Sequence, residues 1–189
     1  MAAPITSSSG AANVSELSES ALRHMMIVGG TLAEWAAFAD AEWDERVEVL
    51  GAELARVGAA WLTLRPYEAG TEAVELIAWH RAIGACGVVV DPAADGRERF
   101  AAAMRSLEPD HEVNEATVAG ALYDPADSEP DLVLVLGPPT QLPPSLVWEL
   151  AYAELVFTPI AWQDLSVDHV RDAIADFAGR RRRFGGLDE

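Results

Sequence analysis

The chain has 189 residues, one domain's worth and at most two, and 50% of them are hydrophobic, enough to bury a sizeable core. Its 31 acidic residues face 13 basic ones, all arginine, and the resulting net charge of −18 excludes a broad nucleic-acid footprint or general adhesion to anionic membranes. A single cysteine, Cys86, excludes a disulfide framework and a cysteine zinc cluster; no apolar run reaches the roughly 18 residues of a membrane span. The opening Met1–Gly10 lacks the basic and apolar regions of a signal peptide, so a soluble, cytoplasmic protein is expected.

Residues 1 to about 13 are too poor in bulky apolar side chains to order themselves. Val14 to Leu22 suits a short helix capped by Ser15. Met25-Met26-Ile27-Val28, ending at Gly29-Gly30, reads as a buried strand. Leu32 to Val57 carries apolar residues at helical spacing and stops at Gly58. Ala60 to Leu64 reads as a second strand, Thr71 to Ile83 as a helix, Val88 to Val90 as a third strand and Gly96 to Leu107 as a helix. Asn114 caps a short helix to Leu122. Leu132 to Leu136, apolar throughout, is the clearest strand and suits one covered on both faces. Leu146 to Leu155 reads as helix and Phe157 to Trp162 as a last short strand. Ser166 caps a final helix with Val167, Val170, Ile174 and Phe177 on one face. The alternation predicts a single α/β domain over about 21–180, a mostly parallel central sheet flanked by helices. A weakly ordered segment, 1–20, precedes it and a tail, 181–189, follows.

Bottom-up, the catalytic signals are sparse. His24, His80, His111 and His169 are scattered without i, i+4 pairing, and each reads as an ordinary core or surface histidine. Gly29-Gly30 after a strand fits a phosphate turn or a plain turn. Glu34, Asp40, Glu42, Asp44 and Glu45 read as a solvated acidic face. Cys86 takes the default reading of a small buried thiol. The run Arg180–Arg183 is set apart on an otherwise acidic chain. Arginine forks suit bidentate phosphate contact, and positive charge also suits the last turn of a helix; the two readings are level at this point.

Three segments carry a resemblance to a known family. Pro130-Asp131-Leu132-Val133-Leu134, then Trp148 to Thr158, then Arg181-Arg182-Arg183-Phe184-Gly185-Gly186, resemble the cis-prenyltransferases, among them the undecaprenyl diphosphate synthases. Order and spacing match without a gap from about Asn114 to Gly186, and Trp162-Gln163-Asp164-Leu165 resembles the family's Trp-Pro-Asp-Phe. More weakly, His24 to Ala36 resembles the first-strand segment His-Val-Ala-x-Ile-Met-Asp-Gly-Asn-x-Arg-Trp-Ala, and Trp61 to Leu64 the second strand. Residues 66 to 112 match little, and the chain looks shorter than complete enzymes.

The departures shape what the resemblance implies. The position of the family's magnesium-organising Asp is Gly30, and the Asn and Arg that follow are Leu32 and Glu34. Where the family has Arg-Thr-Ser-Gly-Glu-x-Arg-x-Ser, this chain has Val135 to Pro143, so both arginines are missing. Prenyl transfer needs a metal-bound diphosphate leaving group and cations around it. The resemblance therefore implies no catalytic site within this subunit. Glu154 matches a family acid linked to magnesium near the dimer interface. Arg183, Phe184, Gly185 and Gly186 match a C-terminal motif that reaches a partner's isopentenyl diphosphate site.

This pattern is similar to the Nogo-B receptor type, the non-catalytic subunit of heteromeric cis-prenyltransferases. The expected role is an accessory subunit that pairs with a catalytic homologue through a surface around Trp148, Tyr152, Leu155 and Phe157. The partner would supply the magnesium site and the allylic substrate tunnel, and isopentenyl and allylic diphosphates would be met through it. Any membrane contact would be peripheral and made through that partner. The rival readings are an active isoprenyl transferase with a rearranged site, a regulatory homodimer that kept the fold and lost the reaction, and an unrelated α/β domain.

Overall fold

The computed structural model describes residues 22–71, 74–107 and 112–180. Six strands form one sheet in the order β3-β4-β2-β1-β5-β6. The strands are β1 (His24–Val28), β2 (Trp61–Arg65), β3 (Trp79–Ile83), β4 (Cys86–Val90), β5 (Leu132–Leu136) and β6 (Glu154–Thr158). All neighbours run parallel except the β3–β4 hairpin. The expected α/β architecture is thus present, with a mostly parallel sheet between two helical layers.

The sequence period explains the layering. Successive side chains of a strand point to opposite faces. Met25 and Ile27 of β1 join the cluster that holds Trp35, Leu50, Leu54, Trp162, Val170 and Phe177. Met26 and Val28 join the opposite cluster, with Val118, Leu122 and Tyr123. The first face is covered by α1 (Leu32–Ala36), α2 (Asp40–Arg56) and α5 (Val167–Gly179), the second by α3 (Gly96–Ser106) and α4 (Glu115–Tyr123). β1 and β5 are buried at every residue, as their unbroken apolar runs require.

Three expectations are corrected. The single helix over Leu32–Val57 is two. Thr31 and Glu34 form a capping box for α1, and Glu42 Oε2 accepts from the Ala39 N–H at 2.7 Å to start α2. The break folds Trp35, Phe38 and Trp43 together around Trp162.

The helix expected over Thr71–Ile83 is absent among its described residues: 74–78 have no regular structure and 79–83 are β3. A two-residue loop returns β3 onto β4 with Ile83 opposite Cys86, and Gly84, at φ +58°, takes the left-handed position that such a turn needs. The helix expected over Leu146–Leu155 is a single 3₁₀ turn, Glu149–Ala151. β6 starts at Glu154, three residues before the expected strand, because pairing with β5 overrides local helical propensity. Trp162–Asp164 is another 3₁₀ turn. The final helix is as expected: the Ser166 N–H donates to His169 Nδ1 at 3.2 Å, and Val170 and Phe177 are buried. The segment 1–20 and the tail 181–189 lie outside the described residues, as does most of the helix expected over Val14–Leu22.

Candidate functional site

In an open parallel sheet, ligands bind beyond the carboxyl ends of the strands where the chain's winding reverses. Here that point lies between β1 and β5, since β1 has β2 on one side and β5 on the other. A crevice of about 270 Å³ opens there, walled by Gly30, Thr31, Glu34, Tyr67, Glu68, Gly137, Gln141 and Trp162. Tyr67 binds across it: its N–H donates to the Gly30 carbonyl at 2.7 Å and its O–H to the Gln141 carbonyl at 2.9 Å.

The crevice is built unlike a diphosphate site. No arginine or histidine is among the described residues that line it, and two carboxylates are. Position 30 is closed to a side chain. Its φ is +71°, and a Cβ there would lie 2.9 Å from Trp162 Cβ and 3.0 Å from its Cγ. The space beside the strand end is filled by Trp162 stacked on Trp35, with ring centroids 5.2 Å apart. Glu34 is fixed by the α1 cap: its Oε2 accepts from the Thr31 N–H at 2.7 Å. A carboxylate therefore already occupies the start of the short α1 beside the crevice.

The expected metal residue, Glu154, begins β6. Its Oε2 accepts from Arg180 Nη1 at 3.1 Å, and Arg180 also donates to Asp176 Oδ2 at 2.6 Å and to the Leu155 carbonyl at 2.9 Å. The acids here are neutralised by a guanidinium. Among the described residues no group of three His, Cys, Asp or Glu side chains is arranged to hold a metal ion. Glu154, the acid that the resemblance links to magnesium, is thus engaged by Arg180 in this structure.

Of the four expected interface residues, three come together. Trp148, Leu155 and Phe157 are partly buried against the α3/α4-side cluster, Trp148 stacking on Phe100 and donating to Glu129 Oε2 at 2.8 Å. Tyr152 stands out at 56% exposure, and Leu142, Val147 and Leu150 are exposed nearby in sequence. Leu155 and Phe157 lie on β6, an edge strand; Leu155 was expected at the end of a helix and Phe157 at the start of a strand. Arg183, Phe184, Gly185 and Gly186 lie outside the described residues, as does His111.

His24 is structural. Its Nδ1–H donates to the Ser128 carbonyl at 2.6 Å and its Nε2 meets Thr63 Oγ1 at 2.9 Å. Burial, chiefly, lowers its pKa to about 4, so it stays neutral. Burial pushes the Cys86 thiol up to about 11, as suits an inert buried cysteine.

Sequence reasoning missed a buried ion cluster. Arg65, at the end of β2, donates to Asp91 Oδ2 from Nε and Nη2 at 3.1 and 2.9 Å, and to Glu149 Oε1 from Nη1 at 2.8 Å. The same Glu149 oxygen accepts from Arg99 Nη1 at 3.0 Å and from the Tyr123 hydroxyl at 2.9 Å. A partial signal lay in the two strands that end Leu-Arg and Val-Asp. The register Leu64 opposite Val90 sets Arg65 beside Asp91. Glu149 and Arg99 come from distant segments and gave none.

Comparison with known proteins adds the lineage. Residues 84–185 match the family model described as "Putative undecaprenyl diphosphate synthase". The match begins at Gly84, so the likeness includes β4 and α3 and extends further toward the N-terminus than the motif comparison from Asn114 indicated. The chain is 42% identical over 99 residues to the bifunctional protein CrtB/UppS of Streptomyces coelicolor, covering 48% of this chain and 17% of that protein. It is 39% identical over 107 residues to an isoprenyl transferase of Neisseria meningitidis serogroup A, covering 54% of this chain and 43% of that one. The chain thus spans less than half the length of the curated relatives it matches. In fold it is similar to lavandulyl diphosphate synthase from Lavandula x intermedia, solved with dimethylallyl diphosphate. That likeness has a TM-score of 0.62 at 17% identity and covers 87% of this chain and 98% of the other.

Proposed function

The chain belongs to the undecaprenyl diphosphate synthase family of prenyltransferases, and on that premise we propose that it is the non-catalytic subunit of a heteromeric cis-prenyltransferase. The observation that carries the reading is the crevice beyond β1 and β5. It has two carboxylates and no arginine among the described lining residues, and Trp162 fills the place beside Gly30. A diphosphate leaving group needs the opposite: cations aimed at charge that grows in the transition state. In the complex, a catalytic homologue holds the magnesium and both diphosphates.

This chain's contribution lies at its carboxyl end. Arg180, bonded to Glu154 and to the Leu155 carbonyl, ties the end of α5 to the edge strand β6. In the complex, Arg183, Phe184, Gly185 and Gly186 serve the partner's isopentenyl diphosphate site. Arg183 supplies a planar fork of donors suited to phosphate oxygens. Tyr152, Leu155, Phe157 and Trp148 provide the apolar contact that holds the pair together.

The test is isopentenyl incorporation with magnesium and farnesyl diphosphate, run on this chain alone, on a catalytic homologue alone, and on the two co-expressed. Activity confined to the mixture, or much greater there, is expected. Arg183→Ala in the mixture should cost a charge-assisted contact of about 1.5–3 kcal/mol, roughly 10- to 150-fold in turnover. Unchanged turnover overturns the role of Arg183.

A second reading has its own support: two of the curated relatives, at 45% and 39% identity over the matched residues, are named as isoprenyl transferases. It holds that this chain turns over by itself through a rearranged site. Magnesium-dependent product from the isolated chain would establish it and end the accessory reading.

A further inference from the structure

The buried ion cluster forms one end of a cavity that the reading above does not use. The cavity, about 460 Å³, lies between the sheet and the α3–α4 layer. That size is in the range of small-molecule pockets. One part of its wall is small and apolar, with Val89 from the sheet, Ala102 and Ala103 from α3 and Ala121 and Leu122 from α4, and the rest is polar, with Thr63, Asp91 and Asp124 among it. Arg65 and Arg99 also line it, with side chains 1% and 8% exposed.

These two guanidiniums are not saturated by protein. Each carries five N–H donors. Arg65 makes three hydrogen bonds, all to Asp91 and Glu149. Arg99 makes two, to Glu149 and to the Leu122 carbonyl, with its Nε 3.6 Å from Asp91. Half of their donors therefore have no acceptor among the described residues, at a place where an unmet donor is costly. The charges leave no place for another anion: Arg65 and Arg99 face Asp91, Glu149 and Asp124, which also lines the cavity. An anionic guest would add a fourth negative charge in low dielectric, and an ammonium head has no lone pair with which to accept. An uncharged acceptor meets the donors without adding charge.

We propose that this cavity binds a small uncharged amphiphile, whose hydroxyl or carbonyl oxygen accepts from Arg65 and Arg99 while its hydrocarbon body lies along the alanine-lined wall. The site is separate from the β1/β5 crevice and does not depend on the accessory-subunit reading.

The experiment is a titration of the ¹⁵N-labelled full chain, followed by amide shifts, with three six-carbon probes that differ in the head group: 1-hexanol, hexanoate and hexylammonium. Hexanol should give saturable shifts at Thr63, Asp91 and the α3 amides, with a dissociation constant at least tenfold lower than either charged probe. Ala102→Trp, at an exposed α3 position on the cavity wall, should weaken hexanol at least tenfold while the α5 amides stay in place. Ala121→Leu, from the other helix, should weaken it as well and guards against a folding artefact in the first variant. Hexanoate binding as tightly as hexanol overturns the uncharged head. Failure of all three probes to saturate overturns the site, and so does hexanol binding that neither variant alters.

Discussion

Glu149 shows how one carboxylate is kept ionised where water is scarce. Burial alone would raise its pKa, but Arg65 and then Arg99 outweigh it and hold the group at about 2. A folded pKa below the ordinary 4.5 adds stability that is present above about 4.5 and drains as pH falls toward 2. His24 acts at a higher window: buried neutral, with a pKa near 4 against an ordinary 6.5, it costs stability as pH falls from 6.5 to 4. The unfolding midpoint should therefore decline in two stages on acidification. Glu149→Gln should remove the contribution of this group to the lower stage, at a loss of about 3–5 kcal/mol at neutral pH from leaving Arg99 without its hydrogen-bonded carboxylate and Arg65 with Asp91 alone; urea unfolding across pH measures both.

Gly30 makes the complementary point. Gly30→Asp restores the family's acid yet forces a side chain at positive φ into Trp162. Thermal stability should fall by about 1–3 kcal/mol, and isopentenyl incorporation by the isolated chain should stay absent. The sequence told which side chain was missing at position 30. That Trp162 fills the place depends on a contact between residues 132 positions apart (162 less 30), which no local pattern encodes.

At the scale of elements, legibility followed burial. β5 and the final helix were readable to within a residue, because an unbroken apolar run and a 3.6-residue apolar stripe each have one good packing solution. β3 and β6 were not, and both are edge strands. An edge strand pairs on one side only, so its composition is less constrained, and Trp79–Ile83 and Leu146–Leu155 carried helical spacing into non-helical places.

The same edge position gives β6 its proposed use. Tyr152, more than half exposed just before it, should tolerate a charge in the isolated chain. Tyr152→Glu is expected to leave the thermal midpoint within about 0.5 kcal/mol of the parent. It should also lower the yield of complex with a catalytic homologue several-fold in size-exclusion chromatography. An undiminished complex peak would remove this face from the interface.

Across the whole molecule the charge of −18 sets the terms. Several of the arginines that could offset it are already paired: Arg65 and Arg99 inside, in the ion cluster, and Arg171 and Arg180 at the surface, with Glu53 and Asp168 and with Glu154 and Asp176. The surface is left with like charges that repel one another. Raising salt shortens the Debye length from about 30 Å at 0.01 M to about 8 Å at 0.15 M, so added sodium chloride should raise the thermal midpoint. A midpoint that falls with salt would mean that exposed ion pairs outweigh this repulsion.

The strand order also governs how the chain comes off the ribosome. β1 sits between β2 and β5, and its two neighbours arrive at very different times. β2 follows within a few dozen residues, but β5 is roughly a hundred residues away, about 5–20 s of synthesis at ordinary elongation rates. Throughout that interval Met25-Met26-Ile27-Val28 presents an open, wholly apolar edge to the cell. The yield of soluble protein is then decided by how long that edge waits, so slowing translation between Val90 and Leu132 should raise the demand for chaperones without altering the finished fold.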